Sequence, residues 1–252
     1  MADRRDTSLP RIVFEDDSII VIDKPAGMPC ASLKEGERGT LAAWLNDRRA
    51  AQAGVGRNPL EAGLANRIDN GTSGLVIAAK STEAHENLRA QLSGGSARKR
   101  YLALVIGDPP ARGMTDVPIA HHRSKAKRMV ACETKSRAAA LSARPAHTSF
   151  EVVERLELDG AHYALLSVMI RAGVRHQIRV HLAHLGFPIS GDPIYRSPGK
   201  RGADPLAPPR QMLHSARLSL AHPASGEIVS FEAPLPPDFT KAISRLSARR
   251  NR

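Results

Sequence analysis

Cysteine is nearly absent. Cys30 and Cys132 are the whole supply and no C-x-x-C pair occurs, which excludes a disulfide framework and a thiolate zinc site. Aromatic residues make up only 4% of the chain, too few for a platform on which many bases stack, as in proteins that coat single strands. No apolar run approaches the roughly 20 residues that cross a bilayer. The charged start Met1-Ala2-Asp3-Arg4-Arg5-Asp6 lacks the apolar stretch of a signal peptide, so the expectation is a soluble cytoplasmic protein. Neither G-x-x-x-x-G-K-[ST] nor G-x-G-x-x-G occurs, so no nucleotide cofactor is expected. Gly71-Thr72-Ser73-Gly74 is not a nucleophile elbow, because Leu75 stands where its last glycine is required. Acid is also scarce: 25 Asp and Glu face 37 Lys and Arg, a formal net charge of +12, the electrostatic footprint of a nucleic-acid binder.

A length of 252 residues allows one substantial core. Residues 1–11 read as a polar tail. Ile12-Val13-Phe14 and Ile19-Ile20-Val21-Ile22 follow as strands, the second buried, ending at Lys24-Pro25-Ala26-Gly27-Met28. Pro25 fixes its own φ and Gly27 permits a sharp bend, so this loop should be rigid. Gly39-Thr40 lead into a helix through Leu41, Trp44 and Leu45, and residues 51–63 read as a loop. Ser81 or Thr82 caps a helix with Ala84, Leu88 and Leu92 on one face and Gly94-Gly95 at its end. Arg98-Lys99-Arg100 then open a strand from Tyr101 to Gly107, either as a solvated end or as a phosphate contact. Residues 121–145 lose all periodicity while collecting Arg123, Lys125, Lys127, Arg128, Lys135, Arg137 and Arg144 against the single acid Glu133. They read as a mobile loop that contacts RNA. Two antiparallel strands turn at Asp159-Gly160. A helix then carries Arg175, Ile178, Arg179 and Leu182 on one face up to Gly186. Buried Arg seldom lacks an anionic partner, so one of these guanidiniums should turn inward to a carboxylate. Strands over 212–220 and 228–232 and a helix capped by Asp238 complete a domain spanning 12–247, and 248–252 form a basic tail.

The stretch around which everything else is arranged is Asn66-Arg67-Ile68-Asp69-Asn70-Gly71-Thr72-Ser73-Gly74-Leu75, a charged turn running into an apolar strand. Asp-Asn-Gly is a strong turn signal by itself. A carboxylate on a tight turn at the mouth of a sheet is also held still while facing a substrate. The stretch resembles the H-R-L-D-x-x-T-S-G-L signature of the RluA-type RNA pseudouridine synthases, with Asn66 in place of the usual His. Lys24 to Met28 resembles the K-P-A-G-M motif of the same family, whose role there is chiefly structural. Residues 173–195 resemble its G-R-x-H-Q-I-R-V-H-x-x-x-x-G-x-P-I-x-G-D-x-x-Y segment, with Val174 where Arg is usual. The matches run in the same order from about residue 12 to 240 and fit the sister RsuA type less well.

The resemblance implies an α+β fold: a largely antiparallel, bent mixed β-sheet flanked by helices, without the S4 RNA-binding domain often found in the family. It implies Asp69 as the catalytic acid, Tyr101 as the ring that stacks on the target base and Arg179 as the partner of Asp69. Arg67 would stand beside the position vacated by the flipped base, and Ile178 would line the uracil pocket. Asn66, Lys99, Arg100 and Arg175 complete the expected substrate contacts. The implied reaction needs no metal and no cofactor. His176, His181 and His184 lack metal-site spacing and are expected to be satisfied by hydrogen bonds. The expected partner is ribosomal RNA or tRNA, bound by a monomer away from membranes. The rival is a non-catalytic RNA-binding or ribosome-assembly protein on the same fold.

Overall fold

The structure, a computed structural model, describes residues 9–56, 58–196 and 204–248. In chain order its elements are β1 (Arg11–Glu15), β2 (Ile19–Lys24), α1 (Leu41–Arg48), β3 (Ser73–Ala79), α2 (Thr82–Gly94), β4 (Arg98–Ile106), β5 (Arg112–Thr115), β6 (Ile119–His121) and β7 (Met129–Ala131), followed by α3 (Lys135–Ala140), β8 (Thr148–Leu158), β9 (Ala161–Ile170), α4 (Gln177–His184), β10 (Leu213–Ala221), β11 (Ile228–Glu232), α5 (Pro237–Ser244) and β12 (Ser247–Ala248). The chain divides into two compact units, Met1–Lys99 with His214–Pro237, and Arg100–Leu213 with Asp238–Arg252. The start of the expected polar tail and the basic residues 249–252 lie outside the described residues. Arg11, assigned to that tail, instead begins β1.

The first unit is built on the strand order β1-β2-β3-β10, with β11 on β10. β2 pairs antiparallel with both neighbours, Ile22 facing Val76 of β3. β3 and β10 run parallel, His214 opposite Ser73 and Ser215 opposite Gly74, and this pair makes the sheet mixed. Ile19 to Ile22 are fully buried, as an unbroken apolar run covered on both faces requires. One face carries α2, whose Ala84, Leu88 and Leu92 join Ile19, Val21, Leu75, Ile77 and Leu220 in one cluster. Each fully buried leucine there contributes about 2 kcal/mol. Ser81 Oγ accepts the Ala84 amide and Gly95 closes α2 at φ +80°, as its sequence signals. The described residues of the stretch 51–63 are more ordered than a plain loop. They hold two short 3-10 turns, at Ala50–Gly54 and at Pro59–Glu61, the second started by the Asn58 side chain bonding the Leu60 amide.

The second unit is built on β4-β9-β8, with β5 and β12 on the outer edge of β8. β8 and β9 form a long antiparallel hairpin. Its turn places Asp159 at φ +50° and Gly160 at +77°, the left-handed pair that matches strand twist. Residues 121–145 are not an irregular excursion. β6 and β7 pair antiparallel, His121 opposite Met129, and Thr134 caps α3. Ile119 and Met129 pack with Val174, Val180 and Tyr195. The short strands escaped detection because their apolar residues are too few to show a period. The lysines and arginines of the hairpin tip, Arg123, Lys125 and Lys127, are exposed. Asp238 does not cap α5. It lies in the first turn and holds Arg210 by two bonds, Nε to Oδ2 at 2.6 Å and Nη2 to Oδ1 at 3.0 Å.

Candidate active site

In the first unit the Asp69 turn is closed by the Thr72 amide donating to the Asp69 carbonyl at 2.9 Å. Asp69 is half-buried and Asn70 exposed. The turn is held from outside by the rigid loop after β2. The Gly27 amide donates to the Asn70 carbonyl at 2.6 Å, with Gly27 at φ +89°, a conformation a side chain would strain. Lys24 is fully buried, and its ammonium donates to the carbonyls of Pro25 at 2.7 Å, Met28 at 2.8 Å and Asn70 at 3.4 Å. One buried cation thus ties its own loop to the turn. On the other side of Asp69, the Cys30 thiol donates to the Ile68 carbonyl at 3.3 Å, and burial pushes that thiol up from its usual value. Behind the turn, Ser73 Oγ bonds His214 Nδ1 at 2.9 Å. Gly74 lies so close to β10 that a Cβ there would meet the Ser215 carbonyl oxygen at 2.3 Å. A carboxylate on such a support loses little freedom on meeting a substrate.

Two neighbours of Asp69 have visible work. Asn66 Oδ1 accepts the Ile77 amide of β3 at 2.9 Å, so the residue standing where the family has His pins the entry to the turn. Arg67 is 60% exposed at its side chain and pairs with Glu61 at 2.8 Å.

In the second unit, α4 begins at Gln177 because His176 sits at φ +57°, outside the helical region. Arg175 therefore precedes the helix and is exposed, and it does not share the face of Ile178, Arg179 and Leu182 expected from its spacing. Ile178 is buried. Arg179 turns inward, as the search for an anionic partner requires. Its Nε meets Asp192 Oδ2 at 2.7 Å and its Nη2 meets Oδ1 at 3.0 Å, with the two side chains 3% and 0% exposed. Asp192 Oδ1 also accepts the amides of Ile194 and Tyr195. The Arg179 guanidinium lies 5.2 Å from the centre of the Tyr195 ring. Tyr195 Oη accepts the Met129 amide and bonds His176 Nδ1, both at 2.8 Å. Asp192 is not among the site residues expected from the sequence; Gly191-Asp192 followed by Tyr195 is its trace there.

His181 is fully buried, with Nδ1 on Thr148 Oγ1 and Nε2 on the Val117 carbonyl. It is a satisfied core histidine, and burial holds it below the usual imidazole range. Along β4 exposure alternates: Arg98 and Arg100 are exposed, Lys99 and Tyr101 buried. The three cations therefore do not form one solvated end.

Within the first unit the fold gathers Asn66, Arg67 and Asp69 on one clamped turn. Within the second it gathers Ile178 and Arg179 on one helix with Arg175 just before it, while Arg100 and Tyr101 lie on β4. A mixed, mostly antiparallel sheet with helices, carrying an immobilised Asp on a charged turn in a basic chain, defines the class as RNA pseudouridine synthase. Residues 18–184 match the family model described as RNA pseudouridylate synthase, and the chain belongs to this family, in the RluA type its motifs resemble. It is 37% identical over 239 residues to ribosomal large subunit pseudouridine synthase D of Nitrosomonas europaea, across 94% of this chain and 65% of that protein. It is also 37% identical over 245 residues to the protein of the same name from Pseudomonas aeruginosa, across 93% of this chain and 71% of that one. The chain thus spans about two thirds of the length of these relatives. The fold is that of human RNA pseudouridylate synthase domain containing 1, with a TM-score of 0.72 at 22% identity, covering 96% of this chain and 90% of the other.

Proposed function

We propose that this chain converts selected uridines of structured RNA to pseudouridine, acting in the cytoplasm as a monomer without cofactor. Ribosomal RNA of the large subunit is the favoured substrate, because the relatives are named ribosomal large subunit pseudouridine synthases. The reaction breaks the N1 to C1′ bond, turns the uracil while it stays bound and rejoins it through C5. C5 gives up a proton and N1 gains one, so no atoms or electrons are exchanged with a second substrate.

Such chemistry asks for one oxygen nucleophile or base, a surface for the detached ring and a cation to hold the acid ionised. Asp69 fills the first role, and the observation that carries the reading is its immobilisation between Lys24, Gly27 and Cys30. Tyr101 is assigned to the ring and Ile178 to the wall of the uracil pocket. Arg179 is the guanidinium that answers Asp69; the grip of Asp192 on two of its nitrogens gives it the fixed orientation that role needs. A guanidinium beside a carboxylate favours the ionised form. A uridine stacked in folded RNA must first be extruded, at a cost of a few kcal/mol. Arg67, exposed beside the turn, is suited to occupy the gap left in the stack, and Arg100 and Arg175 to meet phosphates.

The test is to map pseudouridines across total RNA from cells with and without this protein. Loss of one or a few sites in large-subunit ribosomal RNA is the expected result. Loss confined to tRNA would move the substrate, and an unchanged map would remove the activity.

A further inference from the structure

Lys99 is 6% exposed, yet among the described residues no hydrogen bond or ion pair reaches its ammonium. The other buried lysines show how unusual this is. Lys24 satisfies its ammonium with three carbonyls, and Lys80, 8% exposed at its side chain, meets Glu15 at 2.8 Å. A cation withdrawn from water without an anion is costly and is seldom retained without a use. Among the described residues, the side-chain atoms sealed from water without a partner are Asn46 Oδ1, Arg49 Nε and Gln52 Oε1. Lys99 Nζ is not among them, so the ammonium still touches solvent.

Its place on β4 says which anion. Strand alternation turns Arg98 and Arg100 to the exposed face and puts Lys99 on the buried face with Tyr101, two positions on. We propose that Lys99 is the receptor for a single phosphodiester oxygen of the RNA strand that carries the flipped uridine. This rests on the reading in which Tyr101 stacks on that uracil. Bases offer only neutral acceptors to Lys99, whereas the backbone brings one negative charge per nucleotide. Burial is the whole cause of its lowered pKa, about 8, and no ionised side chain contributes to it. The site is thus loaded with a proton at neutral pH and empties just above it, until a bound anion restores the proton.

The experiment measures binding of a labelled stem-loop RNA with a uridine loop by the intact protein, across pH and across KCl. For the wild type, affinity should fall as pH rises through about 8, approaching tenfold per unit. Lys99→Arg, which stays charged, should bind at every pH without that fall. Lys99→Met should bind more weakly at neutral pH, lose the same pH dependence and show a salt slope smaller by about 0.7 to 0.9. Thermal melts of the variants confirm folding, and Lys99→Met should melt no lower than wild type because it removes a buried charge. An unchanged salt slope and pH profile in Lys99→Met overturns the proposal. A fall in kcat at saturating RNA with the salt slope unchanged also overturns it, since Lys99 would then act on the base. If the wild type forms no pseudouridine while the Lys99 variants still alter the salt slope, the enzyme reading fails and the phosphate receptor stands.

Discussion

Replacing Asp192 with Asn keeps the shape of the side chain and removes one buried charge. Its partner Arg179 is 3% exposed and Asp192 itself 0%, so water does not replace the carboxylate that is lost. Breaking a buried pair on one side costs about 3 to 5 kcal/mol. Asn retains one oxygen for the amides of Ile194 and Tyr195, which Asp192 Oδ1 now accepts, and this places the loss near the lower end, about 3 kcal/mol. A typical domain has only about 5 to 15 kcal/mol in total, so the change is large. With a urea dependence of about 2 kcal/mol per molar, the unfolding midpoint followed by circular dichroism should fall by about 1.5 M. Adding Arg179→Met to Asp192→Asn, which removes the orphaned cation and keeps an oxygen for the amides of Ile194 and Tyr195, should recover part of that loss. A midpoint within about 0.3 M of wild type for Asp192→Asn would refute the argument, since the pair would then be effectively solvated.

Lys24→Met leaves the carbonyls of Pro25, Met28 and Asn70 without their shared donor. Unsatisfied buried acceptors cost about 1 to 3 kcal/mol each, so denaturant unfolding should show a loss of at least about 2 kcal/mol. The loosened Asp69 turn should lower kcat more than it raises KM. Glu61→Gln releases Arg67 from an exposed pair worth at most about 1 kcal/mol; melting should barely move, while RNA affinity in a filter-binding assay should improve by up to about fivefold. Burial holds His181 below its unfolded value of about 6.5, so the unfolded chain binds the proton more readily. Stability present in full above about pH 6.5 should therefore be lost as pH falls, by up to about 1.4 kcal/mol per unit, and a His181→Gln variant should lack that component of the slope.

Much of the first unit could be read in advance because its signals are local and strong. The run Ile19 to Ile22, the Ser81 cap, the Gly95 stop and the turn at Asp69 to Thr72 each declare themselves within a few residues, and all four stand where expected. The hairpin of β6 and β7 did not, because three-residue strands show no period and their apolar residues find partners only in distant Val174, Val180 and Tyr195. Arg175 misled for a related reason. Its spacing fits a helix face, and only the left-handed backbone at His176 removes it. For Arg179 the need for an anion was legible, but the hold of Asp192 on two of its nitrogens was not. Lys99 was expected to contact substrate, but its burial was not legible, since burial on one face of a strand depends on what covers it.

The carboxylate of Asp69 is the centre of the proposed reaction. Purified wild-type protein and Asp69→Asn should be incubated with ribosomal RNA lacking the modification, with pseudouridine formation and RNA binding measured on the same samples. The wild type should form pseudouridine, and Asp69→Asn should form none while binding RNA within about twofold of wild type, because the turn is held by backbone bonds that Asn preserves. Pseudouridine formation by Asp69→Asn at the wild-type rate would contradict the role assigned to Asp69.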